Sequence, residues 1–110
     1  MALIIGVVSQ KGGVGKSTFA RMIAREYAAN DFSVLIADMD VSQSTSFIWN
    51  GRRLENEVHP EISVQQFRKI DSALKLRGQY DVLVFDGAPH ATKQTLEIAK
   101  SADILIIPTG

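Results

Sequence analysis

A chain of 110 residues, 45% hydrophobic and 22% charged, has the make-up of one soluble globular domain with an ordinary core, which excludes a disordered or low-complexity segment. The absence of cysteine excludes a disulfide framework, a thiolate metal site and an iron–sulfur centre. Twelve basic residues balance twelve acidic ones, so no overall basic field points to nucleic acid and only a local patch stays open.

The first stretch, Leu3 to Val8, is a continuous run of β-favouring residues, as in a parallel strand covered on both faces. With Ala2 it is too short for a signal peptide or a membrane span and has no basic lead, so a cytoplasmic location is expected. Next comes Ser9-Gln10-Lys11-Gly12-Gly13-Val14-Gly15-Lys16-Ser17-Thr18. A helical pattern then runs from Ser17 to Asn30, with Phe19, Ala20, Ile23, Ala24, Tyr27 and Ala28 on one side. A glycine-rich turn between a strand and a helix start gathers backbone N–H groups and the positive end of the helix dipole at one spot, which suits a phosphate. Gly12, Gly13 and Gly15 let phosphate oxygens approach the backbone without a Cβ in the way. Lys16 reaches toward the β- and γ-phosphates, and Ser17 places a hydroxyl for Mg²⁺. By chance the string K-G-G-x-G-K-[ST] arises at roughly 10⁻⁷ per position, which sets aside a merely flexible turn. The common form of the loop has glycine where this chain has Gln10, and it lacks the extra Lys11.

Asn30-Asp31 supplies turn chemistry before a second apolar strand, Ser33 to Ala37, and the resulting β-α-β unit implies a parallel sheet. Asp38 and Asp40 follow at the carboxyl end of that strand, where open α/β sheets bind their ligands. Alone, such an aspartate is as readily a turn former or helix cap; the upstream loop makes it a site residue. Ser44 to Asn50 reads as a short helix ended by Gly51, with Phe47, Ile48 and Trp49 for the core, and His59 as a surface residue. Ile62 to Val64 reads as an edge strand, and Gln66 to Arg77 as a helix with Phe67, Ile70, Ala73 and Leu74 inward and Gly78 as its stop. Tyr80 to Phe85 is a further buried strand that delivers Asp86 at its carboxyl end, an arrangement that orients Mg²⁺ directly or through water. A helix through Lys100 and a last strand, Asp103 to Ile107, complete the pattern; that strand is too apolar for an open sheet edge, so further elements are expected after it.

The loop at Lys11 to Thr18 resembles the deviant Walker A motif of the ParA/MinD family of P-loop ATPases. Asp38-Met39-Asp40 is similar to that family's D-x-D-P-Q element, with Val41 and Ser42 in place of proline and glutamine; Asp81, Asp86 and Pro89 fall on its D-x-x-x-x-D-x-P-P pattern. The resemblance implies a three-layer α/β P-loop fold, a mostly parallel sheet with helices on both faces, with residues 1–110 as the N-terminal portion of an ATPase domain incomplete at its C-terminus. It implies ATP and Mg²⁺ as cofactors and Lys11, Lys16 and Asp40 as catalytic residues. Lys11 would reach the nucleotide of the partner subunit in an ATP-dependent homodimer, and Asp40 would position the attacking water. Gly12, Gly13, Val14, Gly15, Ser17 and Thr18 complete the nucleotide loop, and Ser17, Asp38 and Asp86 form the metal set. The implied function is plasmid or chromosome partition in the cytoplasm, on the nucleoid. The dimer would bind DNA without sequence specificity, through elements mostly outside these residues, and a small centromere-binding partner would stimulate hydrolysis, with no membrane involved. Two alternatives stand beside it: a MinD-like division-site membrane switch, and a truncated non-catalytic module.

Overall fold

Alternate residues of a strand go to opposite faces of a sheet, and in the central strands of this chain both sets are apolar, so the sheet must be covered on both sides. The computed structural model describes residues 2–8, 16–39, 62–87 and 92–107. In chain order these hold β1 (Leu3–Val7), α1 (Lys16–Ala29), β2 (Val34–Asp38), β3 (Ser63–Gln66), α2 (Ile70–Leu74), β4 (Val82–Asp86), α3 (Thr92–Ser101) and β5 (Ile104–Ile106). The strands form one sheet in the order β3-β2-β4-β1-β5, and every neighbouring pair is parallel. This is the three-layer α/β arrangement expected from the alternation of strand and helix patterns.

One face packs Ile5, Val7, Val34, Ile36, Val82 and Val84 against Ala20, Ala24 and Ala28 of α1. The three alanines recur every fourth residue and are buried, so the helix lies close on the sheet. The other face packs Ile4, Leu35, Ala37, Leu83 and Phe85 against Ile70 and Ala73 of α2 and Ile98 of α3. Each large side chain fully buried here, such as Phe85 or Leu83, contributes about 1.5–3 kcal/mol. Gly6 permits the close approach of α3: a Cβ at that position would run into Ile98 Cγ2.

α1 ends in a left-handed cap. Asp31 has φ 68°, its N–H donates to the Ala28 carbonyl, and the Phe32 N–H donates to the Tyr27 carbonyl, each at 3.1 Å. The Phe32 ring packs edge-on against Tyr27, the hydrophobic contact that accompanies this cap.

The predicted strands and the long first helix agree with the structure to within a residue or two. The helix predicted from Gln66 to Arg77 does not. Gln66 ends β3, paired in register with Asp38 of β2, and the helix is limited to Ile70–Leu74 before a run of turns. The spacing of Phe67, Ile70, Ala73 and Leu74 fits a helix, but pairing with β2 claims the start of the segment. The Ser44 to Asn50 helix, Trp49 and His59 lie outside the described residues.

Candidate nucleotide and magnesium site

The register of the sheet aligns one residue from each strand at its carboxyl end: Gln66 pairs with Asp38, Asp38 with Asp86, Asp86 with Val7, and Val7 with Ile106. Just beyond that row, backbone hydrogen bonds hold the strand exits together. Phe67 N–H donates to Asp38 C=O at 3.0 Å, Met39 N–H to Asp86 C=O at 2.9 Å, and Gly87 N–H to Val7 C=O at 3.1 Å. Asp38 and Asp86 therefore stand on neighbouring strands about 4.8 Å apart in the backbone.

Both carboxylates are buried, at 2% and 1% exposure. Asp38 keeps step with Val34 and Ile36, and Asp86 with Val82 and Val84, all of which pack under α1. The two acids thus share the α1 face. α1 packs across β4, β2 and β1 and follows β1 through residues 8–15, so its first turn, with Lys16, Ser17 and Thr18, begins at the carboxyl edge of the sheet. Of the predicted site residues, the fold brings Asp38 and Asp86 together on one row and starts the loop-borne helix at the same edge. Thr18 is exposed, while Lys11, Gly12, Gly13, Val14, Gly15 and Asp40 lie outside the described residues.

Asp81, the first aspartate of the D-x-x-x-x-D pattern, belongs to the opposite end of β4. Its Oδ2 accepts from the Ser33 N–H at 2.8 Å and the Ser33 hydroxyl at 3.2 Å, and its own N–H donates to Ser33 Oγ at 2.9 Å. This joins the amino ends of β2 and β4 and is a structural clasp. Gln66, which ends β3 beside Asp38, escaped the sequence reading because helical spacing downstream absorbed it; its position two residues after Val64 in a strand pattern was the available signal.

Two buried carboxyl groups on neighbouring strands offer oxygen donors of the kind a divalent cation takes. The donors are hard oxygens, and the chain has no cysteine, which suits Mg²⁺. Among the described residues no group of three or more acidic, histidine or cysteine side chains could hold an ion alone. A pair of carboxylates fits the habit of Mg²⁺, which takes one or two from the protein and the rest from substrate phosphates and water. Among the described residues, no helix is long and apolar enough to cross a membrane.

A parallel sheet whose first strand leads through a glycine-rich loop into a covering helix, with aspartates ending the two adjoining strands, defines a P-loop nucleotide-binding protein. The chain belongs to the CobQ/CobB/MinD/ParA nucleotide binding domain family (CbiA), whose model matches residues 5–105. It is 30% identical to the maintenance of carboxysome distribution protein A of Gloeobacter kilaueensis, over 96% of this chain and 48% of that protein. It is 27% identical to the chromosome partitioning protein ParA of Myxococcus xanthus, over 96% of this chain and 51% of that protein. The chain thus spans about half the length of these curated relatives. In fold it is similar to pNOB8 ParA bound to nonspecific DNA, with TM-score 0.68 and 22% identity over 97% of this chain and 53% of that one. It is also similar to cobyrinic acid a,c-diamide synthase from Mycobacterium smegmatis with a bound ATP analogue and magnesium, with TM-score 0.75 and 20% identity over 99% of this chain and 60% of that one.

Proposed function

We propose that residues 1–110 carry the phosphate-binding and metal-binding half of a Mg²⁺-dependent ATPase of the ParA type, acting in plasmid or chromosome partition. The observation that carries this reading is the in-register pairing of buried Asp38 and Asp86 on the face covered by α1, the helix that the glycine loop enters. The names of the ParA relative and of the DNA-bound ParA neighbour support it, and so does the neighbour solved with an ATP analogue and magnesium.

In this reading Lys16 and the N–H groups of residues 12–18 hold the β- and γ-phosphates and stabilise the charge that develops on them. Ser17, Asp38 and Asp86 hold Mg²⁺, which when bound neutralises phosphate charge. Asp40, two residues beyond Asp38, orients the attacking water. Lys11 reaches the nucleotide of a second subunit, so that ATP bridges a homodimer. That dimer binds DNA without sequence specificity, and a small centromere-binding protein stimulates hydrolysis and releases it. Its place is the cytoplasm, on the nucleoid. Cargo choice belongs to the partner: the Gloeobacter kilaueensis relative is named for carboxysome distribution, not for DNA.

The test is a paired measurement of ATP turnover and molar mass by light scattering with Mg·ATP. Wild-type protein is expected to turn over ATP steadily, whereas Asp40→Ala keeps the ATP-bound dimer and loses turnover. Wild-type turnover in Asp40→Ala would remove that residue from the mechanism. No turnover by wild-type protein would favour a non-catalytic module.

A further inference from the structure

The row of residues at the carboxyl end of the sheet has a polar member outside the magnesium set. Gln66 ends β3 in register with Asp38, about 4.8 Å away in the backbone. It keeps step with Val64, which packs in the cluster under α1, so Gln66 shares the face that carries Asp38 and Asp86. The residue before it, Gln65, pairs with Ala37 of the other cluster and belongs to the opposite face. Directly after Gln66 the Phe67 N–H donates to the Asp38 carbonyl at 3.0 Å, which ties β3 to β2 at this point and fixes the place of Gln66 in the row.

Asp38 thus has two in-register neighbours, and they offer it different chemistry. Asp86, when ionised, can only accept hydrogen bonds, whereas the Gln66 amide carries two N–H donors and no charge. Across one strand spacing a glutamine is long enough for its amide to meet the carboxyl group of the facing aspartate. Burial divides the pair: Asp38 is buried, while Gln66 is exposed. The amide can therefore donate inward to Asp38 and keep its remaining polar atoms in water, without the cost of a buried unmatched group. A carboxylate that binds a cation has lone pairs to spare, and a donor held against them fixes its orientation. A lysine in this place would set a positive charge beside Asp38 in competition with the cation, and an apolar residue would donate nothing.

We infer that Gln66 is a positioning residue for the metal: its Nε2 donates to the Asp38 carboxylate and holds that group turned toward the cation it shares with Asp86. Gln66 acts through Asp38 and does not itself ligate the ion. This inference rests on the ATPase reading above, because the metal concerned is the Mg²⁺ of that site.

The probe is Mg²⁺ itself, titrated into the full chain equilibrated with a fluorescent ATP analogue in chelator-treated buffer. The quantity read is the Mg²⁺ concentration that half-completes the rise in analogue binding. Gln66→Ala is expected to raise that concentration roughly tenfold, the low end for loss of a group that orients a metal ligand, with analogue affinity in chelator unchanged. Gln65→Ala, one residue away on the other face, is expected to match the wild type. Gln66→Glu keeps the size but puts an acceptor where the donor was, and it is expected to raise the concentration at least as much as Gln66→Ala. Both glutamines are exposed, and unchanged melting temperatures without nucleotide confirm that the variants fold. A Gln66→Ala protein with the wild-type Mg²⁺ requirement overturns the inference, and so does an equal shift in Gln65→Ala, which would make the effect one of the strand as a whole. A lowered requirement in Gln66→Glu overturns it too, because the position would then ligate the ion directly. A wild-type chain that binds the analogue equally with and without Mg²⁺, or not at all, overturns the ATPase reading and this inference with it; failure of the Gln66 variants in a Mg²⁺-responsive chain overturns this inference alone.

Discussion

The two ends of β4 each present an aspartate, and the two have opposite characters. At the amino end Asp81 is exposed and held by Ser33 through backbone and side-chain hydrogen bonds. Its charge is solvated and its work is to tie β4 to β2. At the carboxyl end Asp86 is buried and stands in register with another buried aspartate, Asp38. Placing two carboxylates side by side out of water serves no packing purpose that an apolar pair would not serve better. The strand is thus tied to its neighbour at one end and presents the carboxylate of the candidate site at the other.

Four substitutions break or sharpen that contrast. The largest effect is expected at the loop-borne helix: Lys16→Ala should weaken Mg·ATP binding by roughly 100-fold, about 2.7 kcal/mol, with no change in the unfolding midpoint of the nucleotide-free protein. Titration calorimetry together with a thermal melt checks both halves. Next, Asp86→Asn should lower nucleotide affinity in Mg²⁺ by roughly tenfold, about 1.4 kcal/mol, in the same titration. Asp81→Ala, at the other end, should instead cost about 1–2 kcal/mol of stability with nucleotide affinity unchanged. About 16 Å of strand separates these two positions, so their effects should add in the double variant. The smallest effect lies away from β4: Asp31→Gly relieves the left-handed backbone after α1 and should raise stability by about 0.5–1 kcal/mol, provided that the Tyr27–Phe32 contact persists.

How much of this was legible in the sequence depended on whether local pattern and tertiary environment agreed. For β1, β2, β4 and α1 they did. Continuous apolar runs gave strands buried on both faces, and the alanines at 20, 24 and 28 gave the helix face that meets them. Asp38 and Asp86 were legible as candidate site residues because strand ends after a glycine-rich loop are where ligands bind in such sheets; that they share one row and one face is set by register, which no single segment encodes. The start of the segment predicted helical, Gln66 to Lys69, was misread for the same reason. Its apolar spacing satisfies a helix, and only the pairing of Gln66 with Asp38 reveals a strand. Asp81 shows a third kind of limit, since the motif pattern gave it a letter but no role, whereas the structure gives it a partner at the far end of the strand. The last strand had been expected to need cover because it is so apolar, and in the sheet β5 is an edge with Ile104 and Leu105 exposed.

The central claim is that the carboxyl end of β2 and β4 holds the metal of a nucleotide bound by the loop and α1. Titrating a fluorescent ATP analogue into the wild-type chain and into Asp86→Asn, each with Mg²⁺ and with a chelator, tests it most directly. Tight binding by the wild type that weakens on chelation, and an Asp86→Asn protein that is folded but indifferent to the metal, is the predicted result. Equal affinity in all four titrations, or no binding in any, would contradict it.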